Sequence, residues 1–97
     1  MTRDEVKNKV IHAVAKVQRD SGRPAPDIGG STVPLRHLKG FDSMNALEAG
    51  LTLSPLVNRD VDVYDFYSKE KKRELSIDEI AKNLYYEMTS EGGATNE

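Results

Sequence analysis

Gly40-Phe41-Asp42-Ser43-Met44, continued by Leu47 and Leu51, reads as the opening of an α-helix. Met44, Leu47 and Leu51 recur at the three- and four-residue spacing that places side chains on one stripe. Asp42 is suited to the N-cap, because its carboxylate can accept from first-turn amides and sits at the positive end of the dipole. Ser43 then falls in the first turn. Downstream, Pro55 lacks an amide hydrogen and its ring opposes the carbonyl four residues back, so a kink or restart is expected near Ser54.

Working outward, residues 4–20 carry Val6, Val10, Val14 and Val17 at helical spacing, with Asp4, Lys7, Lys9, Lys16 and Arg19 largely on other faces. Thr2 with Glu5 forms a capping-box pattern before this helix, and Gly22 supplies a stop after it. Residues 22–34 hold Gly22, Pro24, Pro26, Gly29, Gly30 and Pro34, a composition that predicts a long loop. A short apolar stretch at Leu35 and Leu38 follows. Val61, Val63 and Phe66 lie among Asp60, Asp62 and Asp65 with Tyr64 and Tyr67, and with no partner strand evident a short helix or turn is expected there. Ile77, Ile80, Ala81, Leu84 and Met88 define a last helix over 76–89, and Ser76 with Glu79 repeats the capping box. The expected fold is all-α: a small four-helix bundle of three main helices and one short one, with a long first loop. One domain spans 1–90, followed by a disordered tail over 91–97.

The composition narrows function. The chain has 97 residues, 37% apolar and 31% charged, enough for one small domain. It contains no cysteine, which excludes thiolate metal sites and cysteine nucleophiles and fits a reducing compartment. No apolar run approaches the length that spans a bilayer, and the N-terminus lacks a signal-peptide core, so a cytoplasmic location is expected. A formal charge of −2 argues against a nucleic-acid module. The basic cluster Lys69, Lys71, Lys72 and Arg73 reads as a solvated face.

Chemical constellations mostly fail. Asp60, Asp62 and Asp65 do not make a calcium loop, since the glycine and terminal carboxylate positions hold Asp65 and Lys71. His12 and His37 lack metal-ligand spacing. Gly29-Gly30-Ser31-Thr32 follows no strand and lacks the phosphate-loop lysine. Ser43 with His37 lacks a nucleophile elbow, so no enzyme activity is expected. Residues 75–84 resemble the first helix of a helix-turn-helix, but no recognition helix follows before the glycine-rich tail.

Gly40-Phe41-Asp42-Ser43-Met44, followed by Leu47, Leu51, Val57 and Val61, resembles the modification site and second helix of acyl carrier proteins, whose usual pattern is Asp-Ser-Leu. The order of helices along most of the chain is similar too. The resemblance implies that Ser43 receives a 4′-phosphopantetheine arm from coenzyme A through a separate magnesium-dependent transferase, with Asp42 helping recognition. It further implies a carrier of acyl thioesters for a lipid, fatty-acid or polyketide-type pathway. The partners implied are the phosphopantetheinyl transferase and acyl-transferring or condensing enzymes, with an acyl chain as cargo. Leu47, Leu51, Val57, Val61, Phe66, Ile80 and Leu84 are candidates for an acyl-pocket lining, each equally explained as core. Two departures bear on the pathway. Met44 stands where leucine is usual, a volume-conserving exchange, and the second helix offers Glu48 and then Arg59 and Asp60 rather than a strongly acidic surface. A pathway-specific carrier is therefore expected, reinforced by Pro55 interrupting the second helix and by the basic cluster at 69–73. The alternatives are an unmodified helical interaction domain and a small helix-turn-helix DNA-binding domain. No sustained heptad suggests more than a monomer, and neither a membrane nor a nucleic acid is expected as partner.

Overall fold

The computed structural model describes residues 1–25 and 27–94. Helix α1 spans Arg3–Asp20, α2 Pro34–His37, α3 Ser43–Val57 and α4 Ile77–Ala94. A single 3₁₀ turn, Val63–Asp65, and a two-stranded antiparallel ribbon, β1 (Tyr67–Ser68) and β2 (Arg73–Glu74), separate α3 from α4. The all-α reading holds: this is a small helical bundle in which α1 packs against both α3 and α4.

Helix α1 begins where the capping box placed it. The Thr2 hydroxyl accepts from the Glu5 amide at 3.1 Å, and the Glu5 carboxylate accepts from the Thr2 amide at 2.6 Å. Its exit runs through Gly22 at φ +72°, a left-handed residue that glycine adopts without Cβ strain. Val6, Val10, Ala13, Val14 and Val17 present a buried face to Ala46, Ala49, Leu53 and Val57 of α3 and to Ile77, Ile80, Ala81 and Leu84 of α4. Phe41, Val61, Phe66 and Leu75 fill the ends of this core.

Helix α3 departs from expectation in two respects. It runs as one helix through Pro55, with no restart at Ser54. Pro55 lies in the last turn, so only one helical hydrogen bond is forfeited. The turn is secured from outside that bond: the Ser54 carbonyl accepts the amides of Asn58 and Arg59, and Asn58 closes the helix in the left-handed region at φ 56°. The Ser54 hydroxyl adds two more links, donating to the Gly50 carbonyl at 2.7 Å and accepting from the Val61 amide at 2.9 Å.

The second departure concerns the face. Met44, Leu47 and Leu51 stand exposed, while Asn45, Ala46, Ala49, Gly50, Leu53 and Val57 are buried. At about 100° per residue the two stripes occupy opposite sides of the helix. Burial selects the side with small residues because the backbone there meets its neighbours closely. A Cβ on Gly50 would lie 2.5 Å from the Val61 carbonyl oxygen.

The short helix lies elsewhere than expected. It is α2, inside the first connection, started by Pro34 at its first position and steadied by His37, whose Nδ1 accepts the Val33 amide at 2.9 Å. Between α3 and α4 the expected short element is the 3₁₀ turn, capped by Asp62 and Asp65. Beyond it the chain forms a ribbon where no strand was expected. Tyr67 pairs with Glu74 and Ser68 with Arg73, so the basic cluster lies at the ribbon's exposed tip, where Lys72 takes a positive φ of 54°. Finally, the Ser76 and Glu79 box opens α4 as read, but the helix continues to Ala94 rather than stopping at 89. The tail expected over 91–97 is helical as far as 94, and its last three positions lie outside the described residues.

Candidate functional site

Ser43 sits at the first position of α3 with its side chain exposed, and the structure fixes its backbone from several directions. Asp42 is the N-cap. Its Oδ1 accepts the Asn45 amide at 3.1 Å, the Asn45 Oδ1 accepts the Asp42 amide at 3.2 Å, and the Asp42 carbonyl accepts the Ala46 amide at 2.9 Å. Asn45 is buried and also donates through Nδ2 to Glu48 at 3.3 Å, so the cap is reciprocal and shielded. Asparagine here replaces the more usual glutamate or glutamine of a capping box.

Upstream of the cap, Phe41 is buried against Phe66, with ring centroids 6.2 Å apart and planes tilted by 39°. That contact ties the start of α3 to the 3₁₀ turn. Gly40 has φ +74°, which lets the chain turn sharply after α2, and the Arg23 side chain lies across it. Gln18 holds the same region from below. It is fully buried on α1, where Nε2 donates to the carbonyls of Pro24 and Lys39 at 3.1 and 3.0 Å, and Oε1 accepts from Arg23 Nε at 3.2 Å. One side chain thus joins α1, the first loop and the approach to Ser43.

Sequence reasoning placed Asp42 and Ser43 at the helix start but missed Gln18, Arg23 and Asn45 as their supports. The signal for Gln18 was available: a polar residue four positions after Val14, on the apolar stripe of α1. The seven candidate lining residues fall into two groups by burial. Val57, Val61, Phe66, Ile80 and Leu84 are at most 4% exposed within the packed core, whereas Leu47 is 44% and Leu51 67% exposed.

The chain was compared with protein-family models, curated proteins and solved structures. It matches none of them. Ser43 offers a hydroxyl held on a rigid helix start with no competing side chain bonded to it among the contacts described. Three apolar side chains flank it on the outer face of α3: Met44 at 70% exposure, then Leu47 and Leu51 one and two turns on. The Nδ1 of His37 is engaged by the Val33 amide at the start of α2. Among the described residues no helix is long and apolar enough to cross a membrane.

Proposed function

We propose that the chain is an acyl carrier module, Ser43 being the attachment point of a 4′-phosphopantetheine arm. The observation carrying this reading is the exposed serine at the first turn of a 15-residue helix, behind a reciprocal Asp42 and Asn45 cap. The resemblance of residues 40–44 to carrier modification sites supplies the chemistry. In that chemistry the Ser43 Oγ attacks the pyrophosphate phosphorus nearer the pantetheine, a phosphodiester forms, and 3′,5′-adenosine diphosphate leaves. The serine proton passes to the transferase.

The residues present fit such a group. The added phosphodiester would stand at the positive end of α3, where the helix dipole favours an anion. Asp42 keeps its carboxylate engaged with the Asn45 amide, which holds the first turn in place during attack. Ser43 contributes nothing to the core, so modification displaces no packing. The group, once attached, supplies a thiol on which an acyl chain travels as a thioester, a role the cysteine-free chain cannot fill itself.

An enzyme acting on cargo held at Ser43 must approach the same end of α3. Met44, Leu47 and Leu51 are then the first side chains it meets, and this stripe carries little charge. Partner recognition through it relies on apolar complementarity, consistent with a carrier dedicated to its own pathway. The outer face is accordingly a partner surface rather than a cargo lining.

The test is the intact mass of the chain after incubation with coenzyme A, magnesium and a broad-specificity phosphopantetheinyl transferase, with Ser43→Ala alongside. The native chain is expected to gain one arm and the variant none. No gain with several transferases would refute the carrier reading, and a gain in both chains would assign the arm to another residue.

A further inference from the structure

A second region of the surface, remote in sequence from Ser43, has a different chemistry. The 3₁₀ turn, the ribbon and α4 enclose a groove of about 520 Å³. Tyr64, Tyr67 and Tyr86 line it, together with Asp65, Glu70 and Glu87. Tyr64 is 58% and Tyr86 65% exposed, so both rings are accessible from solvent.

The lining selects among ligand classes. Three carboxylates face one ammonium, that of Lys69, which disfavours an anion. A neutral apolar ligand would strip water from those carboxylates without replacing it. Burial, with Asp62 and Glu87 adding repulsion, holds the Asp65 carboxyl above the ordinary carboxylate range, although the Asp62 amide donates to it at 2.9 Å and the Arg59 guanidinium draws it down. A metal ion would want oxygen ligands at fixed geometry, whereas aromatic faces suit a bulky, weakly hydrated cation. An independent observation shows that such a face takes a cation: the Lys69 Nζ lies 4.3 Å from the centroid of the Tyr64 ring.

The geometry points to a binding groove for a small alkylated ammonium ion, with Tyr64, Tyr67 and Tyr86 supplying ring faces, Asp65 and Glu87 supplying charge, and Lys69 acting as an internal competitor. Glu87 is already paired with Arg59 at 3.5 Å, so it contributes as part of a network. The volume lies within the range of small-molecule sites and far exceeds that of a bare ion. This inference is independent of the carrier reading.

Choline is a suitable probe, and 3,3-dimethylbutan-1-ol has nearly the same shape without the charge. The full chain would be titrated with each while backbone amide and tyrosine ring resonances are followed, with sodium chloride at matched ionic strength as a third arm. Choline is expected to give saturable shifts confined to residues 64–70 and 83–87, and the alcohol and the salt none. Lys69→Gln should tighten choline binding, and Tyr64→Leu should weaken it by about fivefold, the usual scale of one cation–π contact. Both side chains are exposed, and unchanged resonances elsewhere would confirm that the variants fold. Equal shifts with the alcohol would make the groove merely apolar and overturn the proposal. So would equal shifts with salt, an absence of saturation, or a Lys69→Gln variant that binds choline no more tightly than the native chain.

Discussion

Replacing Gly50 by alanine sets two effects against each other, and the structure decides between them. Gly50 lies inside α3, where alanine is ordinarily the better helix former by about 0.5–1 kcal/mol. Propensity alone therefore predicts a more stable protein. The added methyl, however, would stand 2.5 Å from the Val61 carbonyl oxygen and 3.1 Å from its carbon, with the Asp62 Cα at 3.6 Å. These are backbone atoms of the segment that crosses α3, so no rotamer change can relieve the contact. Overpacking of this kind costs typically about 1–3 kcal/mol. The difference is a net loss of about 1 kcal/mol, and for a domain of this size each such increment lowers Tm by roughly 4–8 °C. Thermal unfolding followed by circular dichroism reads this directly. Gly29→Ala is the control, because nothing lies within 4 Å of a Cβ there and its change should be near zero. A Gly50→Ala variant that melts above the native chain would refute the argument, and with it the close crossing of α3 by residues 61–62.

Three further outcomes follow from the packing and charge described. Leu53→Ala should cost about 2–5 kcal/mol in urea unfolding because Leu53 is fully buried, whereas Leu51→Ala, on the exposed stripe, should stay within about 0.5 kcal/mol; comparable losses in both would mean α3 presents the wrong face. Gln18→Leu leaves the carbonyls of Pro24 and Lys39 without their donor, so stability should fall by about 1–3 kcal/mol, with faster amide exchange in the segment leading to Asp42. Glu79 is held down to about 2 by the Arg73 guanidinium, with the Ser76 amide assisting, against an ordinary value of 4.5. A depressed carboxyl stabilises the fold above its unfolded value and loses that contribution as pH falls through the folded one, so the Tm deficit of Glu79→Gln should be full at pH 6 and shrink between pH 4.5 and about 2. A deficit independent of pH would place the effect of Glu79 outside its charge.

The parts of this fold that the sequence made legible are those carried by short-range rules. Thr2 with Glu5 and Ser76 with Glu79 placed two helix starts, and Asp42 a third, because a cap is decided by side chains within three residues of it. The face of α3 was not legible in the same way. Both Met44, Leu47, Leu51 and Ala46, Leu53, Val57 satisfy helical spacing, and only the approach of residues 61–62 to Gly50 settles which stripe turns inward. The restart expected at Pro55 fails for a related reason: its local cost is real, but the bond from the Val61 amide to the Ser54 hydroxyl that helps secure the turn joins residues no local pattern connects. The ribbon escaped notice because each strand has only two residues and its left-handed position is Lys72 rather than glycine. At the site, Ser43 and Asp42 were visible as a motif, while Gln18, distant in sequence, became visible only once the loop had folded over it.

The first loop also closes on the far side of the molecule. The Thr32 carbonyl accepts the Ile77 amide and the Gly30 carbonyl accepts the Asp78 amide, both at 2.8 Å, while Asp78 pairs with Lys7 at 3.3 Å. Amides in the opening turn of a helix ordinarily have no carbonyl partner within the helix and exchange freely with water. In this protein two of them are shielded by a segment more than forty residues earlier. Their deuterium uptake is therefore expected to be slower than that of first-turn amides left to water, which makes Ile77 and Asp78 reporters of the seal between the first loop and α4.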